Sequence, residues 1–157
     1  MLVPFLLAVA AAHSSALPSS RTANRPVTAC LAVTRSDVQF ALGRGVGKAE
    51  GESSPTSSTC DYTSDRGRVT ITVQYLDRDP DLSAEIAVLE RQIEGASARP
   101  APAFGTLAFF LDISGAGTQL HLIRGRDYLM VSALGFGEAA QVSPAVAVMA
   151  RAALSRW

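Results

Sequence analysis

The stretch LAFFLDISGAGTQLHLIRGRDYLMVSAL, residues 107–134, decides the fold. It holds three apolar-rich runs, Leu107 to Ile113, Thr118 to Arg124 and Asp127 to Leu134, separated by short glycine-bearing breaks. Runs of this length and spacing predict a three-stranded antiparallel meander. Read as a four-residue turn, Ser114 to Gly117 fixes one register, and Gly125 with Arg126, a two-residue turn of the Gly-X kind, fixes the other. A slip of one residue would turn every side chain to the opposite face. On this register Phe109 aligns with Leu122 and Leu129, and Leu111 with Leu120 and Val131, an apolar layer expected to be the core. The other face is mixed. It lines up Phe110, His121 and Met130 in one row, Ala108, Ile123 and Tyr128 in the next, and Asp112, Gln119 and Ser132 in a third.

Working outward, Leu82 to Glu94 predicts an amphipathic helix with Pro80 before it, Gly95 after it, and a stripe of Leu82, Ile86, Leu89 and Ile93. ASARPAPAFG, residues 96–105, reads as a break in regular structure. Arg68 to Leu76 alternates strictly, with Val69, Ile71, Val73 and Tyr75 on one face, which predicts a half-buried strand. With an even-numbered turn around Arg66 and Gly67, Tyr62 falls opposite Ile71 and Cys60 opposite Val73, so Cys60 points into the core. GRGVGKAEGESSPTSS, residues 43–58, reads as a loop. A phosphate cradle there is a poor match, since Leu42 stands where that motif needs Gly and Ala49 where it needs Ser or Thr. Ser36 to Leu42 predicts a short helix, with Thr34 and Asp37 as a capping box and Gly43 as its stop. A last helix is expected from Ser143 and Pro144, with Val146, Met149, Ala150 and Ala153 on one side. The expected fold class is therefore α+β, an antiparallel sheet of about five strands with helices packed on it, in the order α-β-β-α-β-β-β-α.

The chain has 157 residues, 48% of them apolar, which is ample for one self-sufficient domain. Its 14 basic and 14 acidic residues cancel, and no Lys/Arg cluster interleaves with aromatics, which argues against nucleic acid as a partner. The start, MLVPFLLAVAAAHSSALPSS, has an apolar run from Leu2 to Ala12 followed by Ser14, Ser15 and Ala16. This is the pattern of a secretory signal peptide over residues 1–16, the rival being a short buried helix. Residues 17–28 would then be a flexible mature terminus and 29–157 the domain. The apolar run is too short to span a bilayer, and no later stretch reaches the ~18 to 20 apolar residues that a membrane span needs. The address is thus expected to be secreted or periplasmic.

Export sets the expectation for Cys30 and Cys60, the two cysteines, which should pair in an oxidising compartment. Zinc or a reactive thiol is the rival, but His121 alone in the mature chain completes a poor ligand set, so no metal or cofactor is expected. The V-T-A-C ending at Cys30 imitates the box before a lipid-modified cysteine, yet a polar segment with Arg21 and Arg25 separates it from the apolar run.

The run C-L-A-V-T-R-S-D-V-Q-F-A-L-G from Cys30 to Gly43, followed by C-D-Y and a strand, resembles small exported bacterial domains with a C-x-L-x-T, acid-hydrophobic, L-G signature. These occur in actinobacterial lipoproteins and sensor-type ectodomains, often with an antiparallel sheet of the PsbP-like class. The resemblance implies a disulfide between the two cysteines and an extracytoplasmic address. This chain departs from the lipoprotein members in lacking a properly placed lipobox.

Three functional readings stay open. The first is a non-catalytic binding or sensing module using the mixed face at Phe110, His121, Ile123, Tyr128 and Met130, its partner an unidentified protein or small-molecule ligand, or a second copy in a homodimer. The second is that the C-terminal helix covers this face, which is then simply core or a dimerisation surface. The third is a hydrolase-type enzyme, for which His121 sits in mid-strand with its nearest acid, Asp112, a diagonal step away. The acidic residues Asp79, Asp81, Glu85 and Glu94 read as caps and solvated charge.

Overall fold

The computed structural model describes residues 28–157; the expected signal peptide over 1–16 and nearly all of the expected flexible terminus lie outside them. The elements are α1 (Ala29–Ala32), α2 (Arg35–Leu42), β1 (Glu50–Ser53), β2 (Ser57–Thr63), β3 (Arg68–Tyr75), α3 (Leu82–Gln92), β4 (Ala96–Pro100), β5 (Ala108–Ile113), β6 (Gly117–Arg124), β7 (Asp127–Leu134) and α4 (Ala139–Arg156). The fold is α+β, with one antiparallel sheet in the order β1-β2-β3-β7-β6-β5-β4. α1, α2 and α4 cover one face; α3 lies over the other.

The sheet has seven strands, not about five, and the two extra strands are its edges. β1 is exposed along its whole length, so its sequence carries no hydrophobic alternation to read. Its Gly51 lies against the disulfide, where a Cβ would stand 2.7 Å from Cys30 Sγ. β4 lies inside the segment read as a break, and its last residue is Pro100. Proline is tolerated there because β4 pairs on one side only, with β5. Short, polar or proline-ended edges also discourage pairing with other chains.

The second correction concerns register. β6 and β7 pair as expected, Leu120 with Val131, Leu122 with Leu129, His121 with Met130 and Ile123 with Tyr128. β5 is turned over. Gly117 pairs with Ile113, so the loop holds three residues, Ser114 to Ala116, and Phe110 faces Leu120 while Phe109 faces His121. The Ala116 amide donates to the Ile113 carbonyl at 3.0 Å, and Gly115 and Gly117 take up φ of 71° and 136°. Three-residue hairpin loops of this kind rely on positive φ, which glycine adopts without penalty. Between β2 and β3 the turn is Ser64 to Gly67, two residues longer than expected, giving Cys60↔Ile71 and Tyr62↔Val69. An even change preserves the faces, and Cys60 is buried as expected.

Cys30 and Cys60 form a disulfide with their Cα atoms 5.1 Å apart, fastening α1 to β2. The Tyr62 hydroxyl donates to the Val33 carbonyl at 2.7 Å and the Ala29 amide to Ser58 Oγ at 3.0 Å. α2 carries the expected Thr34/Asp37 capping box. Burial alone would raise the Asp37 carboxyl, but Arg156 of α4, 2.7 Å away, and Thr34 outweigh it and hold it down to about 2. α4 begins at Ala139, four residues before the expected start, and Pro144 lies within it. Pro144 has no amide to give the Ala140 carbonyl, and the neighbouring Ser143 hydroxyl donates to the Ala139 carbonyl at 2.5 Å. Val142, Val146, Met149, Ala150 and Ala153 of α4 are buried against the face that carries Phe110, Leu120, Leu122, Leu129 and Val131. The C-terminal helix therefore does not cover the His121 face.

Candidate functional site

That second face is graded from core to open. Towards the three-residue loop Leu111, Ile113 and Ser132 are buried; towards the other end of the sheet Ile123, Tyr128 and Met130 are only half-buried. β3 leaves the sheet here at Tyr75, and the chain runs through Leu76 to Pro80 into α3, whose first turn is capped by Asp81 accepting from the Ala84 amide at 3.1 Å. α3 crosses the face without burying any residue completely. Beneath it lies a cavity of 690 Å³, floored by Phe109, Ile123 and Tyr128 and walled by Leu82, Glu85 and Val88 of α3 and by Asp77, Asp79 and Asp81 of the loop and cap.

His121 lies behind that floor, 2% exposed. The Phe109 ring stacks on it with centroids 4.6 Å apart and planes 8° from parallel. Its Nδ1 is 2.8 Å from the Tyr128 hydroxyl and its Nε2 is 3.1 Å from Gln119 Oε1. Because Gln119 presents an oxygen, Nε2 carries the proton and donates to it, and Nδ1 accepts from Tyr128. Burial lowers the imidazole pKa to about 4. Burial, with the nearby Glu85 carboxylate, pushes the Tyr128 phenol well above its ordinary value. Near neutral pH both groups are uncharged and joined by one hydrogen bond.

Of the five residues singled out by the sequence, His121, Ile123, Tyr128 and Met130 share this face. Phe110 does not. It is buried under α4 with the Arg99 guanidinium 4.1 Å from its ring centre, and Phe109 takes the place expected for it. Asp112 moves with Phe110 to the α4 side, where it pairs with Arg99 at 2.6 Å; Arg99 also donates to Ser143 at 2.7 Å. His121 thus has neither a carboxylate to orient it nor a serine to activate, the two partners that nucleophilic hydrolysis uses. Among the described residues no group of three His, Cys, Asp or Glu side chains is placed to hold a metal ion, and no helix is long and apolar enough to cross a membrane.

No family model, curated protein or solved structure matches the chain. Function therefore rests on the geometry of this face. The sequence pointed to Ile123 and Tyr128 of the cavity floor but set Phe109 in the core, and it missed the wall, because Asp81 and Glu85 have the spacing of ordinary helix-start charges. Asp81 is indeed the cap of α3, and it borders the cavity as well.

A pH dependence follows from the buried imidazole. The unfolded chain titrates at the ordinary histidine value of 6.5 and the folded one at about 4. As pH falls from 6.5 to 4, only the unfolded state gains this proton, so stability drops, by about 3 kcal/mol over the window. Asp37 loses its contribution lower down, between 3.8 and about 2. Urea titrations at pH 7, 5.5 and 4.5 should show this decline in the native chain and a much flatter profile in His121→Gln; equal slopes would place the effect elsewhere.

Proposed function

We propose that the protein is an exported, non-catalytic binding or sensing module that holds its ligand in the cavity between α3 and the sheet, with Phe109, Ile123 and Tyr128 in contact and His121 setting the position of Tyr128. The observation that carries this reading is the cavity itself, 690 Å³, within the size range of small-molecule sites. Its floor is built on strands, which fix geometry, while its roof is a helix with no fully buried residue, which is suited to yielding when a ligand enters. The hydrogen-bonded, uncharged His121–Tyr128 pair acts here as a positioning device, holding the phenol at the cavity floor. The disulfide supports an extracytoplasmic address, where such bonds persist, and fits the resemblance to exported bacterial domains.

Titration with the neutral fluorophore N-phenyl-1-naphthylamine tests the reading. The native chain should take it up saturably at one site, and Val88→Trp, which places an indole in the cavity, should abolish uptake while leaving the circular dichroism spectrum unchanged. Absence of saturable uptake by the native chain, or equal uptake by a folded Val88→Trp, would overturn it.

A further inference from the structure

The charged groups around the cavity are mostly acidic. Asp77, Asp79, Asp81 and Glu85 line it against one guanidinium, that of Arg78, an excess of three negative charges in a chain whose overall charge is zero. Arg126 stands 3.9 Å from Asp79 outside the lining and offsets part of one of them. Tyr128 adds no donor, because its proton is directed to His121 Nδ1, leaving the phenol oxygen to accept. The raised phenol pKa, to which Glu85 contributes, is consistent with the negative potential reaching the floor.

These carboxylates are too dispersed to converge on a metal ion. Dispersed charge around an apolar floor suits a cation that is itself large and partly apolar. The apolar lining includes Leu76, Leu82, Val88, Phe109 and Ile123, which an alkyl or aryl tail would contact, while Tyr128 and Phe109 on the floor are aromatic neighbours for an ammonium group. We propose that the ligand is an amphiphilic organic cation, an alkyl- or arylammonium, with its charge among the carboxylates of the loop and α3 and its tail along Phe109 and Ile123. This assignment rests on the cavity being a ligand site.

Displacement of bound N-phenyl-1-naphthylamine from the full chain by octyltrimethylammonium, octyl sulfate and octyl glucoside, each below its micelle concentration, separates headgroup charge from tail. The ammonium should displace the fluorophore at about tenfold lower concentration than the sulfate, and this preference should shrink in high salt, as expected where solvent reaches the charges. In the double variant Asp77→Asn/Glu85→Gln the preference should fall to near unity, with octyl glucoside unaffected. Equal or better displacement by octyl sulfate, or a preference intact in the double variant, overturns the cation assignment and leaves the cavity reading standing. Failure of the neutral fluorophore to bind at all overturns both.

Discussion

Gly117→Ala is expected to lower the unfolding free energy by roughly 4 kcal/mol, at the far end of what single substitutions do. Gly117 is buried, opens β6 and lies between Ile113 of β5 and Leu134 of β7, with φ at 136°. Side-chain-bearing residues rarely adopt that backbone, which adds strain of about 1–3 kcal/mol. The larger effect is steric. A Cβ here would stand 2.2 Å from the Ala133 carbonyl oxygen, a backbone atom of the central strand β7 that cannot move without disturbing both neighbouring ladders. The same glycine ends the three-residue loop that sets the register of β5, and so directs Phe110 to the core and Phe109 to the cavity. Gly115→Ala is the control. It also has positive φ, 71°, but nothing within 4 Å of the missing Cβ, so about 1–2 kcal/mol is expected. Urea midpoints of the two variants, measured side by side, check this; near-equal values would show that β6 relaxes around the methyl group.

Loss of the disulfide should rank next, at about 3 to 4 kcal/mol for Cys30→Ser/Cys60→Ser, from the entropy of closing a 30-residue separation. The effect should also be local. α1 is one turn of four residues, too short to persist alone, and its remaining ties to β2 include the Ala29–Ser58 and Tyr62–Val33 hydrogen bonds. Without the bridge, amides of residues 29–33 should exchange hydrogen much faster than those of β3 and β7, with the sheet intact below the unfolding temperature. Tyr62→Phe, which removes only the buried hydroxyl, should cost about 1 to 2 kcal/mol by leaving the Val33 carbonyl without that donor. A double serine variant as stable and as protected as the native chain would show that packing alone holds α1.

Much of the fold was legible in residues 57–134. β3 alternates, so its face and that of β2 followed from pattern, and an error of two residues in the intervening turn did no harm because side chains alternate with a period of two. β5 offered no such guide. Ala108 and Phe110 are buried on one face and Phe109, Leu111 and Ile113 on the other, so the pattern fits either register, and the length of the loop, taken as four residues instead of three, decides between them. β1 and β4 were invisible for the opposite reason, being edges that bury too little to leave a hydrophobic signature.

By itself the sequence determined the α+β class, the β6–β7 register and the company of His121 with Ile123, Tyr128 and Met130. Those follow from composition, local periodicity and a two-residue turn, all short-range properties of the chain. Which phenylalanine stacks on His121, which helix lies over that face and whether room is left beneath it were decided only in three dimensions. Each depends on backbone approach within an ångström or two at Gly117 and on where α3 and α4 come to rest, and such distances are set by the whole packed sheet.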